Sequence, residues 1–256
     1  MLSLLRRARR NLLEKKNFSH YLLYALGEVI LIVIGILIAL WISNANEDSQ
    51  RRQREQFYLG GLQAEFEQSR AKLEILVEVN RQTYSRARVI ADAIASPDSV
   101  LSESELAVLL FQAFSDDLAY NPNNSLLQEM LNAGRMELLG DTELRKHLTS
   151  WSARIERIRQ QETSLREQRY RVLDVAREGT GSIRSIFENT GVASGELGLL
   201  PSADPGSNLP LLDSPAFENN VLIFILTSVY TEKMHYQPLL EEIDAILALI
   251  EKSRVE

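Results

Sequence analysis

Residues able to do chemistry are few in this chain. Its 256 residues include three histidines, His20, His147 and His235, and no cysteine. The histidines lie far apart, and none stands in a metal-binding spacing such as His-Glu-x-x-His. Without cysteine there is no disulfide, no thiolate metal site and no cysteine nucleophile. The sequence holds no Gly-x-Ser-x-Gly, no P-loop and no dinucleotide fingerprint. Ser194-Gly195-Glu196 and Gly179-Thr180-Gly181 read as loop glycines. Carboxylates are numerous, Asp116-Asp117 and Glu241-Glu242 among them, but acids on helices normally form a solvated face. The chain is therefore expected not to be an enzyme, with no catalytic residue, metal or cofactor.

Polar residues in apolar surroundings are more informative. Asn80, Glu162 and Arg169 occupy positions of apolar helical stripes. They read as buried polar positions that fix the register of packed helices. Glu28 is the single charge between Leu22 and Ile42. Glu28, Gly35, Ala39 and Asn46 follow one another at spacings of 7, 4 and 7 residues. At about 100° per residue these fall within about 20° of one line on a helix. Glu28, Gly35 and Ala39 thus offer a transmembrane pairing face, because small residues let helices approach closely.

Tyr21–Ile42 is the element that positions this face. Its apolar run Leu22–Ile42, 21 residues, spans about 31 Å as a helix, close to the roughly 30 Å hydrocarbon core of a bilayer. Only a helix satisfies its own backbone in lipid, so the stretch reads as a transmembrane helix. Tyr21, Tyr24 and Trp41 sit near its ends, as interfacial aromatics do. Ser43-Asn44-Ala45 resembles a signal cleavage site. The apolar run is longer than a signal-peptide core, so an uncleaved anchor is expected.

Charge orients the span. The whole chain carries −7, whereas residues 1–20 carry +5 and the remainder −12. Arg6, Arg7, Arg9, Arg10, Lys15 and Lys16 precede the span, and only Arg51, Arg52 and Arg54 closely follow it. Lysine and arginine favour the cytoplasmic flank, which predicts a cytoplasmic N-terminus in the inner membrane and an extracytoplasmic, periplasmic remainder. Directly before a span, the basic arm reads as a lipid-facing short amphipathic helix over 3–16, not as a nucleic-acid arm.

Beyond the membrane, Leu59, Leu62, Phe66, Ser69, Leu73, Leu76, Asn80, Thr83, Ala87, Ile90 and Ile94 alternate in steps of 3 and 4. This predicts a long helix with a coiled-coil-like stripe, with Gly60-Gly61 as a weak point for bending. Ser102-x-x-Glu105 and Ser125-x-x-Gln128 read as capping boxes, Gly134 as a helix stop and Asp141 as a cap. Leu144 to Ala176 repeats the 3/4 rhythm. Asn189–Asp213, rich in glycine and proline, reads as a mobile connector. Ser214-Pro215 opens a further helix. The apolar run Val221–Val229 is too short to span and reads as a buried core segment. Pro238 should kink or divide the last helix near His235-Tyr236.

The fold expected is all-α, an N-terminal transmembrane helix continuing into an extracytoplasmic antiparallel helical bundle. Its parts are a basic cytoplasmic arm at 1–20, the span at 21–42, long bundle helices at 43–188, the loop at 189–213 and closing helices at 214–256.

Two stretches resemble a family of small bacterial membrane proteins of unknown function. One is Tyr21-Leu22-Leu23-Tyr24-Ala25-Leu26-Gly27-Glu28, then Gly35-Ile36-Leu37-Ile38-Ala39-Leu40, then Asn44-x-Asn46-Glu47. The other runs from Asn124-Ser125-Leu126 through Leu139 to Glu143-Leu144-Arg145. The resemblance implies a single-pass anchor with an outer helical domain, and supplies no reaction, substrate or catalytic residue.

These readings point to a membrane-anchored interaction or scaffold module. Its partners would be the lipid bilayer, a second copy or another transmembrane helix, and an extracytoplasmic protein. The segments 96–124 and 189–213 are the first places to look for a partner surface. Two other classes stand beside it. One is an accessory subunit of an ion-coupled membrane complex that uses Glu28. The other is a ligand-sensing input module for a separate signalling protein.

Overall fold

The computed structural model describes residues 18–96, 101–179 and 181–255, with side chains from residue 22 onward. The basic arm, with Arg6, Arg7, Arg9, Arg10, Lys15 and Lys16, lies outside the described residues. All regular structure among the described residues is helical. The chain divides into two units, Met1–Gln56 and Phe57–Glu256.

The first unit holds the start of α1, Phe18–Ala95, a single helix of 78 residues. No proline occurs between residues 18 and 95, so nothing in that stretch breaks the hydrogen-bond ladder. From Leu22 to Ile42 the large apolar side chains are exposed. Among the described residues, one helix is long and apolar enough to cross a membrane, and its apolar window is wholly uncovered by the chain.

In the second unit, α1 runs unbroken through Gly60-Gly61. Leu59, Leu62, Phe66, Ser69, Leu73, Asn80, Thr83, Ala87 and Ile90 are buried along one stripe. Leu76 and Ile94 of the same stripe are half-buried. Burying a leucine or phenylalanine stabilises by about 1.5–3 kcal/mol, so this stripe is the main reason the helix holds its place.

The chain then returns along α1. Helix α2, Glu103–Phe114, opens on the capping box of Ser102 and Glu105. Residues 116–124 are non-helical. Helix α3, Ser125–Asn132, starts one residue before the point that a Ser125 cap would give, and not by the expected means. Its N-cap is Asn124, which makes no side-chain capping bond. The Glu65 carboxylate of α1 takes the free amides instead, Leu126 at 2.6 Å and Leu127 at 3.2 Å. Gly134 follows α3 in the left-handed region, φ +65°, where glycine carries no Cβ penalty.

Asp141 caps α4, Thr142–Glu178, accepting the Leu144 amide at 2.9 Å. The ten stripe residues from Leu144 to Ala176 are all buried. Phe66 meets Trp151 edge to face at 4.9 Å, and Tyr58 accepts from Arg135 near the start of α4, so α4 runs alongside α1 in the same direction.

Two short helices follow, α5 at Ile183–Asn189 and α6 at Val192–Gly195, then a 3-10 turn at Leu209–Asp213. Where the sequence suggests a mobile connector, a polar knot forms. The Glu103 carboxylate accepts the Asn208 amide, the Asn208 side chain and the Ser185 and Ser207 hydroxyls, all within 3.0 Å. Glu103 precedes Asn208 by 105 residues, so no local pattern announces the bond.

Helix α7, Pro215–Thr231, is capped by Ser214. It passes through a π turn, Glu232–Tyr236, into α8, Gln237–Val255. Pro238 has no N–H to give the Met234 carbonyl, and the Gln237 amide reaches back five residues to Glu232. Arg81 pairs with Glu232 and Arg70 with Asp244, so α7 and α8 run antiparallel to α1.

The run Val221–Val229 is not a wholly buried segment. Val221, Phe224 and Ser228 are buried, whereas Leu222, Ile223 and Leu226 are exposed. The helix covers only the face it turns to α1 and α4, and its far face has no neighbour among the described residues.

Candidate functional site

The π turn is where polar side chains from three directions meet. Such turns occur frequently at functional sites, because a widened turn re-aims the side chains around it. On one side, Glu232 accepts from Arg81 at 2.6 Å and from the Tyr84 hydroxyl at 3.0 Å. The Glu232 carboxylate holds the Arg81 guanidinium even more firmly protonated than usual. Burial, helped by Glu232, pushes the Tyr84 hydroxyl up.

On the other side, Glu162 of α4 accepts the Tyr236 hydroxyl at 3.0 Å and the Tyr120 amide at 2.8 Å. Burial raises the Glu162 carboxyl above the usual carboxylate range, although both hydrogen bonds pull it down. Burial also pushes up the Tyr236 hydroxyl, and the neighbouring Glu162 adds to that. The Tyr120 hydroxyl is raised mainly by burial as well, and donates to the Ser69 carbonyl at 3.1 Å. Both tyrosines therefore stay neutral donors.

The three polar stripe residues do not bond to one another. Asn80 is fully buried and donates to the Ser228 carbonyl at 3.1 Å, while its Oδ1 has no partner among the described residues. Glu162 joins α4 to the π turn and to residue 120. Arg169 donates to the Asp116 carbonyl at 2.5 Å and lies 3.6 Å from the Asp117 carboxylate. Asn80 ties α1 to α7, whereas Glu162 and Arg169 both tie α4 to the segment 116–124. A cavity of 10 Å³ beside Arg169, Asp116 and Phe224 is at the lower limit for one water.

Glu28, Gly35 and Ala39 lie in the first unit, all exposed. Nothing stands within 4 Å of where a Gly35 Cβ would be.

A groove of 170 Å³ opens on the outer side of the π turn. Ile158, Pro238 and Leu239 give it apolar walls, and Arg154, Arg157, Met234 and His235 complete it. Arg154 contacts Glu242 at 3.0 Å, and Glu242 also meets His147 at 2.8 Å. Arg157 has no carboxylate partner among the described residues. Burial and the nearby Arg157 hold the His235 ring below the usual histidine range, so it is neutral at pH 7. The groove therefore presents guanidinium groups beside an apolar floor.

The sequence matches a family of unknown function, DUF6090, over residues 28–167, more than half of the chain. The chain belongs to that family. The DUF6090 region takes in α1 from Glu28, the Glu65 cap of α3, and Glu162 on α4. The groove straddles its edge, since Arg154, Arg157 and Ile158 fall inside and Met234, His235, Pro238 and Leu239 beyond. No curated protein and no solved structure matches the chain.

Sequence reasoning missed the groove. Arg154 and Arg157 look like any solvated helical charges, and His235 is a lone histidine. The one available signal was Pro238 placed four residues after Met234 in a helical pattern, which forces the backbone to depart from regular α geometry.

Proposed function

We propose that this DUF6090 protein is a single-pass anchor of the inner membrane carrying an extracytoplasmic helical bundle that serves as a protein-interaction or scaffold module. The observation that carries this reading is the wholly uncovered apolar stretch Leu22–Ile42 at the start of α1. In water that surface would be strongly unfavourable, whereas lipid or a partner helix satisfies it. The basic flank before it supports a cytoplasmic N-terminus. The Glu28, Gly35 and Ala39 face then pairs with a second copy or another span.

A reporter active only outside the cytoplasm, fused after Glu256, tests the topology. Activity is expected, and a fusion active only inside the cytoplasm overturns it. Crosslinking the chain in its own membrane tests the module. A heterologous protein joined at a defined position is expected, and its absence at every position overturns the reading.

A second reading, a subunit of an ion-coupled complex, rests on the carboxyl of Glu28 inside an apolar helix. Glu28→Gln separates the two. Loss of an ion-dependent activity at unchanged protein level favours coupling, and loss of a crosslinked partner helix alone favours pairing.

A further inference from the structure

The outer face of α7 carries large apolar side chains that the described residues leave about half exposed or more. Leu222, Leu226, Tyr230 and Met234 recur every fourth residue and are 48%, 69%, 51% and 57% exposed. Three such residues on α7 and a fourth on the π turn that continues it form a continuous patch, not the scattered apolar surface of an ordinary domain. The patch runs directly into the groove, because the Tyr230 ring stacks edge to face on His235 at 5.5 Å. There Arg157 is exposed and has no carboxylate partner among the described residues, and Arg154 already shares Glu242.

We propose that the stripe from Leu222 on α7 to Met234 on the π turn, with Arg157 at its end, docks an amphipathic protein segment that packs apolar side chains on the stripe and sets a carboxylate on Arg157. This rests on the interaction-module reading and names its surface. Charge argues for the occupant. The chain beyond residue 20 sums to −12, so a groove lined by two arginines and no carboxylate runs against the net charge of that chain. A complementary partner supplies the missing carboxylate, in the geometry that arginine recognises best. An anionic lipid surface is a poorer fit, because it is held by clusters of several lysines and arginines, and this groove has two arginines. A second copy presenting the same face brings further guanidinium groups to the contact rather than an acid. A helix laid along the stripe would set anchors at i, i+3 or i+4 and i+7 against its apolar side chains.

The test uses the full chain in its own membrane with a photoreactive phenylalanine analogue at Leu226, and separately at Ile75 on α1, which is 66% exposed. The expected result is a protein adduct at position 226 whose crosslinked peptide holds apolar residues with Asp or Glu. That adduct falls about tenfold or more in Arg157→Glu, a change of about 1.4 kcal/mol or more. It persists in Arg159→Glu, which alters a charge of the same helix outside the groove. Both arginines are exposed, and a thermal melt shared with the wild type verifies that each variant folds.

Lipid adducts alone, adducts only to a second copy, or a protein adduct indifferent to Arg157→Glu each overturn the proposal. Heterologous adducts at Ile75 or elsewhere with none at Leu226 overturn this surface and leave the interaction module standing. No heterologous adduct at any position overturns both.

Discussion

Glu65 and Leu126 are joined across 61 residues of sequence: the carboxylate of one accepts the backbone amide of the other at 2.6 Å. With the Leu127 amide on its second oxygen at 3.2 Å, Glu65 does for α3 what a capping side chain does locally. A negative charge at a helix N-terminus also meets the positive end of the helix dipole. The bond therefore fixes where the return segment docks on α1.

Removing that carboxylate should loosen the dock. Glu65→Ala is expected to lower unfolding free energy by about 1–2 kcal/mol, the usual cost of losing an N-cap. Glu65→Gln should recover part of it, since one oxygen still accepts. Urea denaturation of the three proteins checks the order, and an unchanged midpoint for Glu65→Ala counts against the role.

Glu103 should make the chain acid-sensitive. Burial pushes its carboxyl up, but hydrogen bonds from Ser185, Ser207 and Asn208 together outweigh this and hold it below its ordinary range. A carboxylate whose folded pKa is lowered contributes stability above its unfolded pKa, about 4.3, and loses it as pH falls through the folded value. Glu103→Gln should therefore be less stable than wild type at pH 7, with the gap closing as the pH drops below about 4. Thermal melts from pH 7 to 3 measure the gap, and a constant difference rejects the argument.

Glu162 should behave in the opposite sense. Its folded pKa is raised, so ionisation favours the unfolded chain, and the cost grows as pH rises from about 4.3 through the folded value. Glu162→Gln keeps an acceptor for Tyr236 or the Tyr120 amide without the charge. Its stability relative to wild type should rise as the pH is taken from about 4 to 7. A relative stability that falls over that range would sink the assignment.

The paired glycines of α1 should respond differently to alanine. At Gly60 an added Cβ meets nothing within 4 Å, so Gly60→Ala should stabilise by about 0.5–1 kcal/mol through helix propensity. At Gly61 the Cβ would overlap the Leu126 side chain, which must shift. Gly61→Ala should therefore gain less than Gly60→Ala, or lose stability through overpacking. Equal midpoints for the two variants would show that Leu126 yields freely.

Local signals in the sequence were legible where a few neighbouring residues decide the outcome. Ser102, Asp141 and Ser214-Pro215 open helices because their side chains or rings act within three residues. The 3/4 rhythm of Leu59 to Ile94 and Leu144 to Ala176 gave the helices and the faces they bury. Long-range partners were not legible. Ser125 looked like a cap because Glu65 is remote, and residues 189–213 looked loose because Glu103 is remote. The run Val221–Val229 looked buried because hydrophobicity alone does not say how much of a helix its neighbours cover. Asn80, Glu162 and Arg169 stand out as polar residues in apolar stripes, but their partners are carbonyls, an amide, a hydroxyl and the Asp117 carboxylate, which no spacing reveals.

The π turn also decides what the closing column buries. Buried positions fall at Val221, Phe224, Ser228, Thr231 and Glu232, and then at Tyr236, Leu239, Ile243, Ile246 and Ile250. Through Glu232 the steps from Ser228 to Tyr236 are 4 and 4, so the column keeps its 3/4 rhythm across the wide turn. Thr231 and Glu232 are both turned to the covered side there, and the second of them sets a carboxylate against Arg81 and Tyr84 in a column otherwise built of apolar and hydroxyl side chains.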